Sequence, residues 1–267
     1  MGVGRGTVPA PDGKRGAPVS NPVRFFFLAY AVMTAMVSAS ASAQDPYAAA
    51  RRAMLDDIAA LARETQRQWN DAGRAAFAPR VMDAMAKVPR HRFMPEDQVA
   101  NAYANRPLPI GHGQTISQPF NVALMTDLLD LKGHERVLEV GTGSGYQAAV
   151  LAELAREVYT IELLAPLARE AAGRLAGYRN VKAREGDGYA GWPDAAPFEA
   201  IMVTAGAPEV PPALIEQLAP GGRLAIPVGP HGGVQDLQLI VKDAQGRVSR
   251  KSILAVRFVP LVKGTAR

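Results

Sequence analysis

The chain contains no cysteine. Disulfides, thiolate nucleophiles and cysteine-ligated metals are therefore excluded. Histidine is scarce. His91, His112, His134 and His231 stand apart, none in a close pair with metal-ligand spacing, so no metal centre is expected. An excess of one charge is lacking too. The formal net charge is +5, but Arg5, Lys14, Arg15 and Arg24 face a single acid, Asp12, within residues 1–43. The rest of the chain is close to neutral, which offers no electrostatic footing for nucleic acid. Long hydrophobic runs are missing as well. The stretch Phe25 to Val37 is short for a transmembrane helix. It follows Arg24 and leads to Ala41-Ser42-Ala43 before Gln44, the pattern of a cleavable signal peptide. A Gly- and Pro-rich stretch precedes it, so a start codon set too early or a disordered tail fits the same residues.

What is present suffices for a buried α/β core. The chain has 267 residues, 48% of them hydrophobic. Three segments are expected: a signal-like or disordered piece over 1–43, a helical and substrate-loop region over 46–132, and an α/β core over 133–263. Met54, Ile58, Leu61 and Trp69 recur at nearly helical spacing, which predicts a helix from Pro46 to Asn70. A second helix is predicted over Pro79 to Lys87. Residues 101–119 hold three prolines and two glycines yet keep Leu108 and Ile110, and read as an ordered loop crossing a site. A helix should begin near Pro119, bury Val122, Met125, Leu128 and Leu129, and take Ser117 as a possible cap.

After Gly133 strands and helices alternate. Strands are predicted at 136–140, 157–161, 181–183, 198–203 and 223–228, with closing strands at 235–241 and 252–259 around a turn at Gln245-Gly246. Helices are predicted at 146–154, 166–175 and from Pro211 to the Pro220-Gly221-Gly222 stop. The rhythm indicates a doubly wound sheet, whose ligands bind beyond the carboxyl ends of the strands. Gly141, Glu162, Asp187 and Thr204 should line that rim.

The first strand runs into three glycines, Gly141, Gly143 and Gly145, spaced two apart. Such a turn brings bare backbone against a cofactor. A dinucleotide site wants Gly-x-Gly-x-x-Gly, and here Tyr146 stands where its last glycine would be. Glu139 would also oppose a pyrophosphate, and is better used against a cation such as the ammonium of a methionine moiety. Glu162 ends the second strand and can accept both hydroxyls of a ribose. Asp187, between Gly186 and Gly188, can accept from an adenine amino group. The set suits S-adenosyl-L-methionine better than NAD.

Here the chain resembles the protein-L-isoaspartate O-methyltransferases, over roughly residues 48–263. The most specific stretch is Leu108 to Pro119, Leu-Pro-Ile-Gly-His-Gly-Gln-Thr-Ile-Ser-Gln-Pro. Others are Val137 to Ala149, Val158 to Glu162, Gly186 to Gly188, Gly222 to Gly229 and Val256 to Leu261. The resemblance implies a Rossmann-like class I S-adenosylmethionine-dependent methyltransferase sheet with an N-terminal helical extension. It implies methyl transfer from S-adenosyl-L-methionine to the α-carboxyl of L-isoaspartyl residues in damaged proteins and peptides. The ester then closes to a succinimide, and hydrolysis returns part of it to aspartate. It implies Ser117 as the active-site serine. It implies cofactor contacts at Ile116, Glu139, Gly141, Glu162, Leu163, Asp187, Gly188, Thr204 and Gln235, and a bound peptide near Val256 to Val259. Two positions depart from the family's habit: Asn105 replaces an aspartate, and Leu163 replaces an arginine.

A carboxylate substrate is already ionised at neutral pH, so Ser117 is cast as a positioner rather than a nucleophile. Two other readings compete. One is a methyltransferase for another carboxylate or a small molecule, which the 108–119 loop disfavours. The other is a non-enzymatic interaction module, which the intact glycine turn and its acids disfavour. Cofactor supply points to the cytoplasm, with export through residues 24–43 as the alternative. Neither nucleic acid nor stable membrane association is expected.

Overall fold

In the computed structural model the described residues are 1–7, 45–69 and 76–264. The signal-like run at 25–37 and the small-residue site at 41–43 lie outside them, as does Asn70. The chain divides into two units, Met1–Pro46 and Tyr47–Arg267.

The second unit opens with α1 (Ala48–Glu64) and a short α2 (Gln66–Trp69). The two are split at Thr65, whose amide and hydroxyl both return to the Leu61 carbonyl. Met54, Ile58 and Ala62 form the buried stripe, and the Trp69 indole donates to the Ala62 carbonyl at 3.1 Å. Next comes α3 (Pro79–Lys87), at the predicted limits, with proline in its first turn.

The expected loop at 101–119 contains a hairpin, β1 (Leu108–Gly111) with β2 (Gln114–Ile116). Its turn uses positive φ at Gly111, His112 and Gly113. α4 (Pro119–Leu128) follows. Val122, Met125 and Leu128 are buried as expected, with Leu129 just beyond the helix, but Pro119, Phe120, Ala123, Leu124, Thr126 and Asp127 are buried too. The cause is enclosure: α4 packs against α1, α3 and the sheet. Its buried polar groups are satisfied locally. Thr126 donates to the Val122 carbonyl at 2.7 Å, and Asp127 accepts the Ala78 amide at 2.7 Å.

The sheet comprises β3 (Arg136–Val140), β4 (Glu157–Glu162), β5 (Val181–Glu185), β6 (Phe198–Val203), β7 (Leu218–Val228), β8 (Gln235–Lys242) and β9 (Val248–Val256). The connecting helices are α5 (Tyr146–Ala152), α6 (Ala165–Leu175) and α7 (Pro212–Gln217). Strand order is β5-β4-β3-β6-β7-β8-β9. The first five strands are parallel, and β8 runs against both β7 and β9. The order reverses between β3 and β6, which opens the crevice where such sheets bind ligands.

β4 and β8 run one residue and β5 two residues past their predicted ends, and two strands depart further. The helix expected to reach Pro220 stops at Gln217, and β7 begins at Leu218 because Leu218 pairs with Phe198 across a register shift. β9 runs 248–256 instead of 252–259, since its pairing with β8 reaches back to Val248.

Both sheet faces are covered. Val137, Val158, Ala200 and Met202 join the core shared with α1, α3, α4 and α5. Leu138, Val140, Ile161 and Ile201 join the core on the other face with Leu214. The alternation along β3 thus sends Leu138 and Val140 one way and Val137 and Glu139 the other. Leu138→Ala is expected to lower unfolding free energy by about 2–5 kcal/mol in urea titration. A loss well under about 1 kcal/mol would mean this face is not closely packed around β3.

Candidate active site

β3 ends at Val140, and the chain turns at once. Gly141 has φ +98°, and a Cβ there would lie 2.5 Å from the Thr204 hydroxyl oxygen. Only glycine fits without displacing Thr204. That hydroxyl donates to the Gly141 carbonyl at 2.6 Å. The amides of Gly141 and Thr142 both donate to the Ile161 carbonyl, at 2.8 and 3.1 Å. Glu162 completes the clasp. One carboxylate oxygen accepts the Gly143 amide at 2.8 Å, and the other accepts the Leu164 amide at 2.9 Å. The turn is therefore locked to the ends of β4 and β6, and α5 leaves from Gly145.

A cavity of about 100 Å³ opens above this turn. Ile116, Ser117, Glu139, Gly141, Gly143, Glu162, Leu163, Gly188 and Thr204 border it. Three of the predicted residues do not. Gly145 faces Leu175 of α6, where a Cβ would come within 3.2 Å of that side chain. Asp187 accepts the amides of Tyr189 and Gly264 at 2.8 and 3.0 Å. Gln235 is buried, donates to the Pro230 carbonyl at 3.1 Å and accepts the Phe258 amide at 2.8 Å. Its amide is occupied in holding the segment after β9.

Sequence reasoning missed other walls. Val122, Tyr146 and Gln147 border the cavity, as does the strap Val259 to Val262. Gln147 carries a readable signal, since a polar residue in the apolar run 146–151 needs a buried partner. It donates to the Thr126 hydroxyl at 3.0 Å. The strap has no comparable signal. Its place depends on Gly206 and Val259 pairing through space.

Glu139 is fully buried in the cavity wall. Thr142 and Thr160 share a hydrogen bond at 2.6 Å, and Thr160 donates on to one Glu139 oxygen at 2.5 Å. The other oxygen, Oε1, has no partner among the described residues. Burial pushes this carboxyl up to about 8, the Thr160 bond opposes the shift, and the Glu162 charge adds to it. A buried acceptor without a donor fits a cationic ligand group. The glycine cradle and the Glu162 clasp fit the rest of an adenosyl donor.

Ser117 does not cap α4. The N-cap is Gln118, with no side-chain bond. Asn105 does the capping from a distance, accepting the Phe120 amide at 3.0 Å. An acceptor is all this position needs, so Asn105 in place of aspartate keeps the contact. The Ser117 hydroxyl has no protein hydrogen-bond partner among the described residues. Its residue borders both the cavity and a wider groove of about 500 Å³. Leu61, Thr65 and Gln68 form one wall of that groove, and Val256, Arg257 and Phe258 another. Among the described residues, no cluster of His, Asp and Glu could hold a metal ion.

Known proteins resemble this chain in sequence and fold. Residues 67–266 match the family model described as Protein-L-isoaspartate(D-aspartate) O-methyltransferase. Protein-L-isoaspartate O-methyltransferase 2 of Syntrophobacter fumaroxidans is 56% identical over 225 residues, covering 84% of this chain and 90% of its own. Protein-L-isoaspartate O-methyltransferase 1 of Cupriavidus necator is 53% identical over 259 residues, covering 96% and 98%. A solved protein-L-isoaspartate O-methyltransferase from Plasmodium falciparum, in complex with S-adenosyl-L-homocysteine, superposes with a TM-score of 0.65. It is 25% identical, over 80% of this chain and 99% of that one. Another solved protein-L-isoaspartate O-methyltransferase gives a TM-score of 0.67 at 26% identity, over 79% of this chain and 65% of that one. The family match covers most of the chain, the fold is a Rossmann-like methyltransferase sheet, and this chain belongs to the protein-L-isoaspartate(D-aspartate) O-methyltransferase family.

Proposed function

We propose that this protein repairs damaged proteins and peptides by methylating the α-carboxyl of their L-isoaspartyl residues, with S-adenosyl-L-methionine as donor. The observation that carries the reading is the lone buried oxygen of Glu139, in a cavity that Ser117 also borders. When bound, the donor supplies an activated methyl group on a positively charged sulfur. An ionised carboxylate accepts it without a general base.

The chain's own residues then have distinct tasks. Glu139 holds the donor's ammonium. Glu162 receives the ribose hydroxyls on lone pairs left free by its two backbone amides. Gly141 and Gly143 let the donor approach the backbone, Leu163 and Gly188 bound the adenine, and Ile116 and Thr204 close the sides. Gly145 and Gln235 act as supports, one packing α5 on α6 and the other holding Phe258; Asp187 shapes the turn around Gly188 and keeps lone pairs for the adenine amino group. Ser117 donates a hydrogen bond to the substrate carboxylate and keeps it in line with the methyl carbon. The adjoining groove favours a peptide over a small molecule, because it continues the site well beyond one carboxyl group.

Matched isoaspartyl and aspartyl peptides provide the direct assay. Methylation is expected on the first only; activity on both, or on neither, would overturn the repair reading. Ser117→Ala should lower kcat by about 10- to 100-fold, as expected for a lost positioning contact. S-adenosyl-L-homocysteine affinity should stay within about twofold. An unchanged kcat would remove Ser117 from the substrate site.

Glu139 makes donor affinity depend on pH. Its carboxyl, raised to about 8, must ionise to hold an ammonium. Affinity should therefore rise by up to about tenfold per unit as pH approaches that value from below, and level off above it. Glu139→Gln should flatten the profile in calorimetry. A steep profile retained in that variant would move the titration elsewhere.

Among the described residues no helix is long and apolar enough to cross a membrane. The reading places the protein in the cytoplasm, where its donor is made. N-terminal sequencing of fractionated native protein checks this, and a mature start at Gln44 outside the cytoplasm would reverse it.

A further inference from the structure

Arg90 is a fully buried side chain, yet no carboxylate among the described residues answers its charge. Its surroundings contain Tyr146 and Tyr103 instead. Burial lowers its pKa to about 10, so it remains protonated at neutral pH. Nε donates to the Ala102 carbonyl at 2.8 Å and Nη2 to the Ser117 carbonyl at 2.7 Å. The guanidinium carbon lies 4.7 Å from the centre of the Tyr146 ring. Nη1 has no acceptor among the described residues.

These contacts join three pieces that sequence keeps far apart. Ala102 precedes the hairpin, Ser117 follows it, and Tyr146 is the first residue of α5 after the glycine turn. A single planar fork thus ties the backbone beside the substrate hydroxyl to the helix that leaves the donor turn. Lysine has the charge but cannot span two carbonyls while stacking on a ring. Burying an unpaired cation is costly, and a site whose only need was packing would be served by an apolar side chain.

We propose that Arg90 is a positioning residue for methyl transfer: it holds the Ser117 main chain at a fixed distance from the donor turn, and so sets the approach of the substrate carboxylate to the methyl group. The inference rests on the role given to Ser117, which Ser117→Ala tests by itself. Arg90 touches neither reactant. It acts through the Ser117 carbonyl and the Tyr146 ring.

The experiment is a double-mutant cycle with Ser117→Ala and Arg90→Lys, measuring kcat, peptide KM and S-adenosyl-L-homocysteine affinity. Arg90→Lys alone should lower kcat by about 10- to 100-fold, the effect of misplacing reactants by about 1 Å. Donor-product affinity should change by less than about twofold. In the Ser117→Ala background the same change should cost little more, because both act on one contact. Full additivity of the two losses would overturn the proposal, as would parallel losses in kcat and donor affinity, or an unchanged kcat. If Arg90→Lys does not fold, Arg90→Gln, which reaches one carbonyl, takes its place in the cycle with the same readings. If Ser117→Ala proves silent while Arg90→Lys is slow, the Ser117 role and this inference fall together; if Ser117→Ala is slow and Arg90→Lys is not, only the inference falls.

Discussion

The short turn between β3 and α5 is the constraint on which the site depends. Its amides have no helix or strand of their own at Gly141, Thr142 and Gly143, and buried amides must find acceptors. They find them on β4, at the Ile161 carbonyl and the Glu162 carboxylate. Thr204, just past β6, closes the other side by donating to the turn's own carbonyl. Three parallel strand ends are thereby fixed relative to one another, at the place where the strand order reverses. A ligand meets a floor that is already made, with little ordering left to do on binding.

Two buried ionisable groups have an atom that no hydrogen bond completes. Glu139 has one oxygen without a donor, and Arg90 has one nitrogen without an acceptor. They differ in what completes them. The acid lines the cavity, so a ligand cation can satisfy it. The cation spends its donors on two carbonyls and a ring, and thereby fixes backbone. Each lowers the stability of the free protein relative to an apolar replacement, and each gains its value only during binding or transfer.

Much of the core was legible because its signals are local. β3, β6 and α3 lie at their predicted limits, each bounded on one side by glycine or proline: Gly141 after β3, Pro197 before β6 and Pro79 at the start of α3. The acids at 139 and 162 were also readable, since strand ends in a doubly wound sheet must face the ligand rim. The hairpin at 108–116 was not, because strands of four and three residues are too short for their alternation to stand out, and Pro109 argues against a strand. Ser117 looked like a cap from spacing alone, but Asn105, brought near by the fold, takes that work. Arg90, between Pro89 and His91, carries no local signal in the sequence. Its importance comes from Ala102, Ser117 and Tyr146, and nothing local announces them. Asp187 and Gln235 lie outside the cavity lining, where Asp187 accepts two amides and Gln235 joins a carbonyl to an amide.

The sheet ends at β9, which pairs with β8 and with no further strand among the described residues. An open edge of this kind invites a second copy of the same strand to add on, the first step toward fibrous assembly. Here the edge carries Arg250 near its middle. An antiparallel self-pairing centred there would set this cation against its own counterpart, and repulsion across the seam would oppose it. A protein that handles ageing polypeptides is thus guarded, at its own margin, against stacking edge to edge.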